Sequence, residues 1–92
     1  MIILMMERPI PPGFDPMDDA QASRHARIAV DAMAKVGGMR WRHSYVTGDK
    51  LFGVVEVDTE ETLARYQAAA GIAGQSIVVH RVRRVLDASL AT

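Results

Sequence analysis

The sequence predicts an α+β fold in which a four-stranded antiparallel sheet carries two helices on one face. Three observations support this prediction: the hydrophobic patterns run in the order strand, helix, strand, strand, helix, strand; a turn signal joins the two central strands; and the halves on either side of that turn are alike. The 92 residues, 49% of them hydrophobic, suffice for one modest core, so we expect a single domain over residues 1–92.

The first half contains a strand and a long amphipathic helix. IILMMER at 2–8 is a continuous apolar run, and the prolines and glycine of 9–13 end it. Asp15 precedes a proline, which predicts a helix N-cap there. Small and apolar residues then recur at spacings of three and four from Ala22 to Val36, before a pair of glycines stops the helix.

The centre of the chain predicts a β-hairpin. MRWRHSYV at 39–46 and LFGVVEV at 51–57 flank the turn residues Thr47 to Lys50. Because side chains alternate along a strand, Trp41, His43 and Tyr45 are predicted to share one face. The predicted pairs on that face are Tyr45 with Phe52, His43 with Val54 and Trp41 with Glu56; Ser44 with Gly53 and Val46 with Leu51 form the other.

The second half ends with a helix and a strand. Asp58 and Glu61 have the spacing of a capping box, and Leu63, Tyr66 and Ala70 then share one helical face. SIVVHRVRRVL at 76–86 predicts the last strand, and a loose tail is expected at about 88–92.

The resulting βαββαβ order predicts the ferredoxin-like arrangement. Both helices cover one face of its sheet, so the second face would expose large side chains, namely Trp41, Tyr45 and Phe52. We therefore expect a homodimer that packs these faces together, forming a dimeric α+β barrel.

Composition excludes several classes of function. Eleven basic and eleven acidic residues cancel, so neither nucleic acid nor a membrane surface is an expected partner. The chain has no cysteine and no export-signal pattern, and we expect it to be cytoplasmic. It also lacks a glycine-rich phosphate loop and a G-x-S-x-G nucleophile motif, so the enzyme classes that use them are excluded; a catalytic role is not our first expectation.

The histidines are the main candidates for chemistry. In the predicted register His43 faces the same side as Glu56, and the two could hold a divalent metal or act as an acid/base pair; a packing role is the alternative. His80 in the last strand either joins that face or points at a helix. His25 lies on the flank of the first helix, and Tyr66 is expected in the core with its hydroxyl reaching a partner.

From Trp41 to Asp87 the sequence resembles a small bacterial nickel-binding, ferredoxin-like domain family. The matching features are Trp41 with SYVT at 44–47, Lys50 followed by Phe52, Glu56 before an acidic helix start, AG at 70–71 and the hydrophobic last strand. The first helix, including His25, matches more loosely. The resemblance implies a dimer of βαββαβ chains and, in at least some members, nickel bound largely through histidines.

The resemblance also identifies positions at which this chain differs from its relatives. Gly53 stands where relatives tend to have Cys, Tyr66 where many have His, and Ala73 where Pro is expected; Glu7 lies near a histidine position of some relatives, and His25 is kept. A carboxylate at Glu7 would make a harder site than imidazole. The candidate metal pairs are therefore His25 with Glu7, and His43 with Glu56.

Three functions remain open at this point. The first is a small metal-binding protein, with nickel as the implied ion. The second is a dimeric barrel that binds or transforms a small organic ligand in a cavity lined by Trp41, Tyr45 and Phe52, with His43 as the polar group. The third is a non-catalytic interaction module whose aromatic face is the dimer interface.

Overall fold

The computed structural model describes residues 1–91 and confirms the predicted order of elements. The elements are β1 (Ile2–Pro9), α1 (Asp19–Val36), β2 (Met39–Val46), β3 (Lys50–Val57), α2 (Glu60–Ala69), β4 (Val78–Val82) and a short 3-10 helix (Ala88–Ala91). The last strand is shorter than predicted. The tail expected at 88–92 includes this exposed 3-10 turn, and its final residue, Thr92, lies outside the described residues.

The strands form one antiparallel sheet in the order β2-β3-β1-β4, with both helices packed on one face. This is the ferredoxin-like arrangement. The core lies between sheet and helices, and its buried members are Leu4, Met6, Ala32, Met33, Val55, Val57, Leu63 and Tyr66. Within residues 1–91, neither helix combines the length and apolar composition needed to cross a bilayer.

The pairing of β2 with β3 differs from the prediction at one end. Tyr45 pairs with Phe52 and His43 with Val54, as predicted, but a bulge between Trp41 and His43 shifts the register. The extra residue turns Trp41 to the helix side. There it lies opposite Val55, and its indole N–H donates to the Ser44 hydroxyl at 3.0 Å. The predicted pair of Trp41 with Glu56 is therefore wrong.

Both helices start later than the capping signals predicted. Asp18, not Asp15, is the N-cap of α1, since its carboxylate accepts the N–H of Gln21 at 3.0 Å. Asp15 instead accepts the N–H of Met17 in the preceding turn. Thr59, not Asp58, caps α2. Where several capping residues follow one another, the sequence does not decide between them, because each can satisfy a helical N–H.

Gly38, just after α1, contacts Asp58, just before α2. Its φ is 71°, a conformation that costs other residues energy, and its carbonyl accepts the N–H of Asp58 at 2.9 Å. A Cβ at Gly38 would lie 2.8 Å from Cγ of Asp58. The Asp58 carboxylate is held by the Thr62 hydroxyl and by the N–H of Thr59, and these hydrogen bonds lower its pKa.

Replacing Gly38 with Ala should therefore destabilise the protein more than replacing Gly37. Gly37 also has a positive φ, 70°, but no atom lies within 4 Å of an added Cβ. Gly37→Ala should cost only backbone strain, about 1–3 kcal/mol of unfolding free energy. Gly38→Ala should cost more than this, because the added Cβ displaces the Asp58 carboxylate from its hydrogen bonds.

Urea unfolding of both variants measures this difference. In an Asp58→Ala background the two substitutions should cost similar amounts, because the obstructing carboxylate is gone. Equal losses in the otherwise natural protein would show that Asp58 does not restrict this position.

Candidate functional site

The sheet face away from the helices, called the open face below, is a grid of three rows across the four strands. From β4 to β2 the rows read Val82, Ile3, Glu56, Arg40; then His80, Met5, Val54, His43; then Val78, Glu7, Phe52, Tyr45. Of the predicted aromatic residues, Tyr45 and Phe52 lie on this face. Trp41 does not, because of the bulge.

Apolar side chains occupy the middle of the open face. Ile3, Met5, Phe52 and Val54 are neighbours on the two central strands and are only partly buried in one chain. Val78 and Tyr45, at opposite edges of the grid, are 53% and 58% exposed. Apolar residues surrounded by polar ones at the edges are typical of a protein interface.

An imidazole and a carboxylate meet on this face. His80 Nε2 lies 3.2 Å from Glu7 Oε1, joining β4 to β1. His80 is therefore on the open face, which answers the alternative that the sequence left open. Both side chains remain partly exposed, and together they present one nitrogen and one oxygen donor.

The predicted pair of His43 and Glu56 shares the open face without forming a common site. The Glu56 carboxylate accepts from Arg40 Nε at 2.9 Å and lies 3.4 Å from Arg42 Nε. The hydrogen bond from Arg40 is the main reason that the pKa of Glu56 is lowered. His43 packs edge-on against Tyr45, with ring centroids 4.9 Å apart. It lies about 14 Å from His80, since three strand spacings separate them.

The helix side of the sheet contains a cavity of about 280 Å³ between β1, α1 and α2. Arg8, His25, Tyr66 and Gln75 supply its polar groups, and Phe14 and Ile72 are among its apolar lining residues. Arg8 is the next residue of β1 after Glu7, and strand alternation places it on the helix side with Leu4 and Met6. Its guanidinium donates to Gln75 Oε1 at 2.7 Å.

His25 lies in this cavity and not on the exposed flank of α1. Its ring stacks on Phe14 with centroids 4.9 Å apart, and its partial burial, with the nearby Arg8 charge, lowers its pKa. The predicted metal pair of His25 and Glu7 is not brought together, because Glu7 lies on the opposite face of the sheet. Tyr66 also lines the cavity, and burial raises its pKa.

The donor set around His25 does not fit a divalent cation. Tyr66 lines this cavity and, with Gly53, a smaller adjoining one; Arg8 lines both. Two of the positions at which the chain differs from its relatives thus converge on a guanidinium, which repels a metal ion. Across residues 1–91, no group of three or more His, Cys, Asp or Glu side chains could hold a metal. Glu7 and His80 provide two members of such a set.

Sequence reasoning missed Arg8, Phe14 and Gln75. The position of Arg8 could have been predicted. Side chains alternate along a strand, so Arg8 shares the helix side with Leu4 and Met6 once Leu4 is known to be buried. Phe14 and Gln75 lie outside the helices and strands, and no periodic pattern indicates where such side chains point.

The four-stranded antiparallel sheet with its two helices places the chain in the class of ferredoxin-like α+β domains. A family model described as nickel responsive protein SCO4226-like matches residues 4–79. The chain belongs to this family, which confirms the resemblance drawn from the sequence.

A solved structure supports the fold. The crystal structure of SCO4226 from Streptomyces coelicolor A3(2) matches with a TM-score of 0.65 at 11% identity, covering 91% of this chain and 99% of that chain. At this identity the likeness establishes the shared fold alone. A comparison with curated protein sequences finds no match.

The environment of His25 predicts how stability depends on pH. Its pKa is lowered in the folded protein from an unfolded value of about 6.5, so the unfolded chain binds a proton first as the pH falls. The unfolding free energy should therefore be higher above pH 6.5 and decrease below it. The unfolding free energy of His25→Gln should decrease less between pH 7.5 and 5 than that of the wild-type protein.

Urea unfolding at these pH values measures the effect. Equal slopes for wild type and His25→Gln would contradict the proposed environment of the ring.

Proposed function

We propose that the protein is a non-catalytic homodimer that joins two sheets through their open faces and responds to a divalent metal through Glu7 and His80. The apolar centre of the open face carries this proposal. A ferredoxin-like sheet covered by helices on one side leaves the other to solvent or to a partner.

The distribution of charge supports a second copy as the partner. Ile3, Met5, Phe52 and Val54 form the apolar centre, while Arg40 and Glu56 supply neighbouring charges of both signs. A twofold interface presents the same patch from each copy, so it must complement itself. A patch with an apolar centre and both signs of charge meets that requirement, whereas a patch of one sign would repel its own copy.

The metal response rests on the contact between His80 and Glu7. Imidazole nitrogen with carboxylate oxygen is a donor combination that nickel accepts, and membership of a nickel responsive family favours nickel among divalent ions. Among residues 1–91, one chain supplies two donors at this place, so the site needs further ligands from water or from a second copy. A bound ion would link β1 to β4 and stabilise the folded dimer by mass action.

A lysine in the centre of the open face should break the dimer. Val54→Lys places a charge among Met5 and Phe52, where a face-to-face partner would desolvate it. Val30→Lys is the matched control, because Val30 is 48% exposed on α1, which packs on the other side of the sheet. Sedimentation should show a dimer for wild type and Val30→Lys, and at least tenfold weaker association for Val54→Lys.

Circular dichroism should show both variants folded, since the open face of a single chain tolerates a solvated lysine. A wild-type mass equal to the 10.1 kDa chain would contradict the dimer. A dimer that Val54→Lys leaves intact would place the interface elsewhere.

Loss of the His80 imidazole should weaken nickel binding. In calorimetric titration of the tag-free protein, His80→Asn should lower the affinity at least tenfold, and Glu7→Gln should lower it as well, because each removes one of two donors. His25→Asn, on the helix side, should leave the affinity unchanged. Weaker binding in His25→Asn with normal binding in His80→Asn would move the metal site to the cavity.

A further inference from the structure

We propose that the cavity around Arg8 binds a small organic anion, a monocarboxylate with an apolar body, with its carboxylate on the Arg8 guanidinium. This site lies on the opposite side of the sheet from the open face, so it is independent of the proposed dimer and metal response. Dimerisation through the open face would leave the cavity mouth accessible.

The charge of Arg8 is the first step of the argument. The side chain is partly buried, and burial lowers its pKa. Within residues 1–91, the ion pairs join other groups, and no Asp or Glu lines the cavity. Its one side-chain hydrogen bond goes to the neutral amide of Gln75. A partly desolvated guanidinium with remaining donors is a recognition element for an anion.

The neighbouring polar groups converge on the same space. Tyr66 is 6% exposed and lines the cavity, and its hydroxyl makes no hydrogen bond within the described part of the chain. Among the described residues no fully buried side-chain oxygen lacks a partner, so this hydroxyl keeps some access to solvent. A carboxylate oxygen in the cavity could accept a hydrogen bond from it. His25 supplies a further ring nitrogen to the same cavity.

The remaining walls define the body of the ligand. Phe14, Ile28, Ala29, Ala70 and Ile72 are apolar, and Phe14 presents an aromatic ring held by its stack on His25. A volume of about 280 Å³ is just below the usual range for ligand sites, about 300–1,000 Å³, so the ligand is small.

A single guanidinium favours one negative charge. A phosphate dianion would need additional cations or a nest of backbone N–H groups to offset its desolvation. A monocarboxylate matches the planar fork of Arg8 with two parallel hydrogen bonds and leaves its apolar part against Phe14 and Ile72. We therefore assign the carboxylate class.

Benzoate is a suitable probe, with benzamide as its uncharged isostere and inorganic phosphate as the alternative anion. Titrated into the tag-free full chain and followed by amide NMR, benzoate should bind saturably and shift resonances of Ala29, Ala70, Gly71 and the Gln75 side chain. Benzamide and phosphate should each bind at least tenfold more weakly. Arg8→Gln should weaken benzoate at least tenfold.

Two further variants test the role of the Tyr66 hydroxyl and the specificity of the Arg8 effect. Tyr66→Phe preserves the ring and the volume, and should weaken benzoate several-fold by removing one hydrogen-bond donor. Arg27→Gln is the control, because Arg27 is exposed on α1 and does not line the cavity; it should bind as wild type does.

Equal binding of benzoate and benzamide would overturn the role of the charge, and phosphate binding more tightly than benzoate would overturn the carboxylate assignment. Absence of saturable benzoate binding to the wild-type protein, or shifts confined to the open face, would remove the site altogether. If Arg8→Gln fails to fold, the comparison of the three probes on wild type and Tyr66→Phe still decides the proposal.

Discussion

The alternation of side chains along β1 is the constraint on which the structure depends. As a central strand, β1 pairs with β3 on one side and with β4 on the other, so its register fixes the whole sheet. Leu4 and Met6 enter the core, and the next residue in that phase, Arg8, reaches the cavity. Glu7, one position earlier, must then point to the open face. A slip of one residue would exchange these roles.

Two consecutive residues of β1, Glu7 and Arg8, thus lie in two different environments. Glu7 meets His80 among partly exposed side chains, where water can reach both donor atoms. Arg8 enters a cavity with apolar walls, where its charge is only partly hydrated and an anion would be held more strongly than in water. The sheet lies between the two side chains, because strand alternation places them on opposite faces.

Periodicity and turn chemistry predicted the order of elements and most of the hairpin register, because Thr47 to Lys50 fixed where β2 turns into β3. They did not predict the bulge that moves Trp41 to the helix side, because Arg42, His43 and Ser44 are all polar and hide the change of phase. The site was less predictable. His25 and Glu7 belong to different elements, and only the packing of α1 on the sheet reveals that a strand lies between them.

The separation of the two faces is tested most directly by the broadening of amide resonances on addition of nickel, which is paramagnetic when bound by nitrogen and oxygen ligands. With the metal near Glu7 and His80, the resonances of residues 5–7 and 78–81 should broaden first, while those of α1 around His25 stay sharp. Broadening centred on His25 and Tyr66 would contradict the account, because the metal would then occupy the cavity that we assign to an anion.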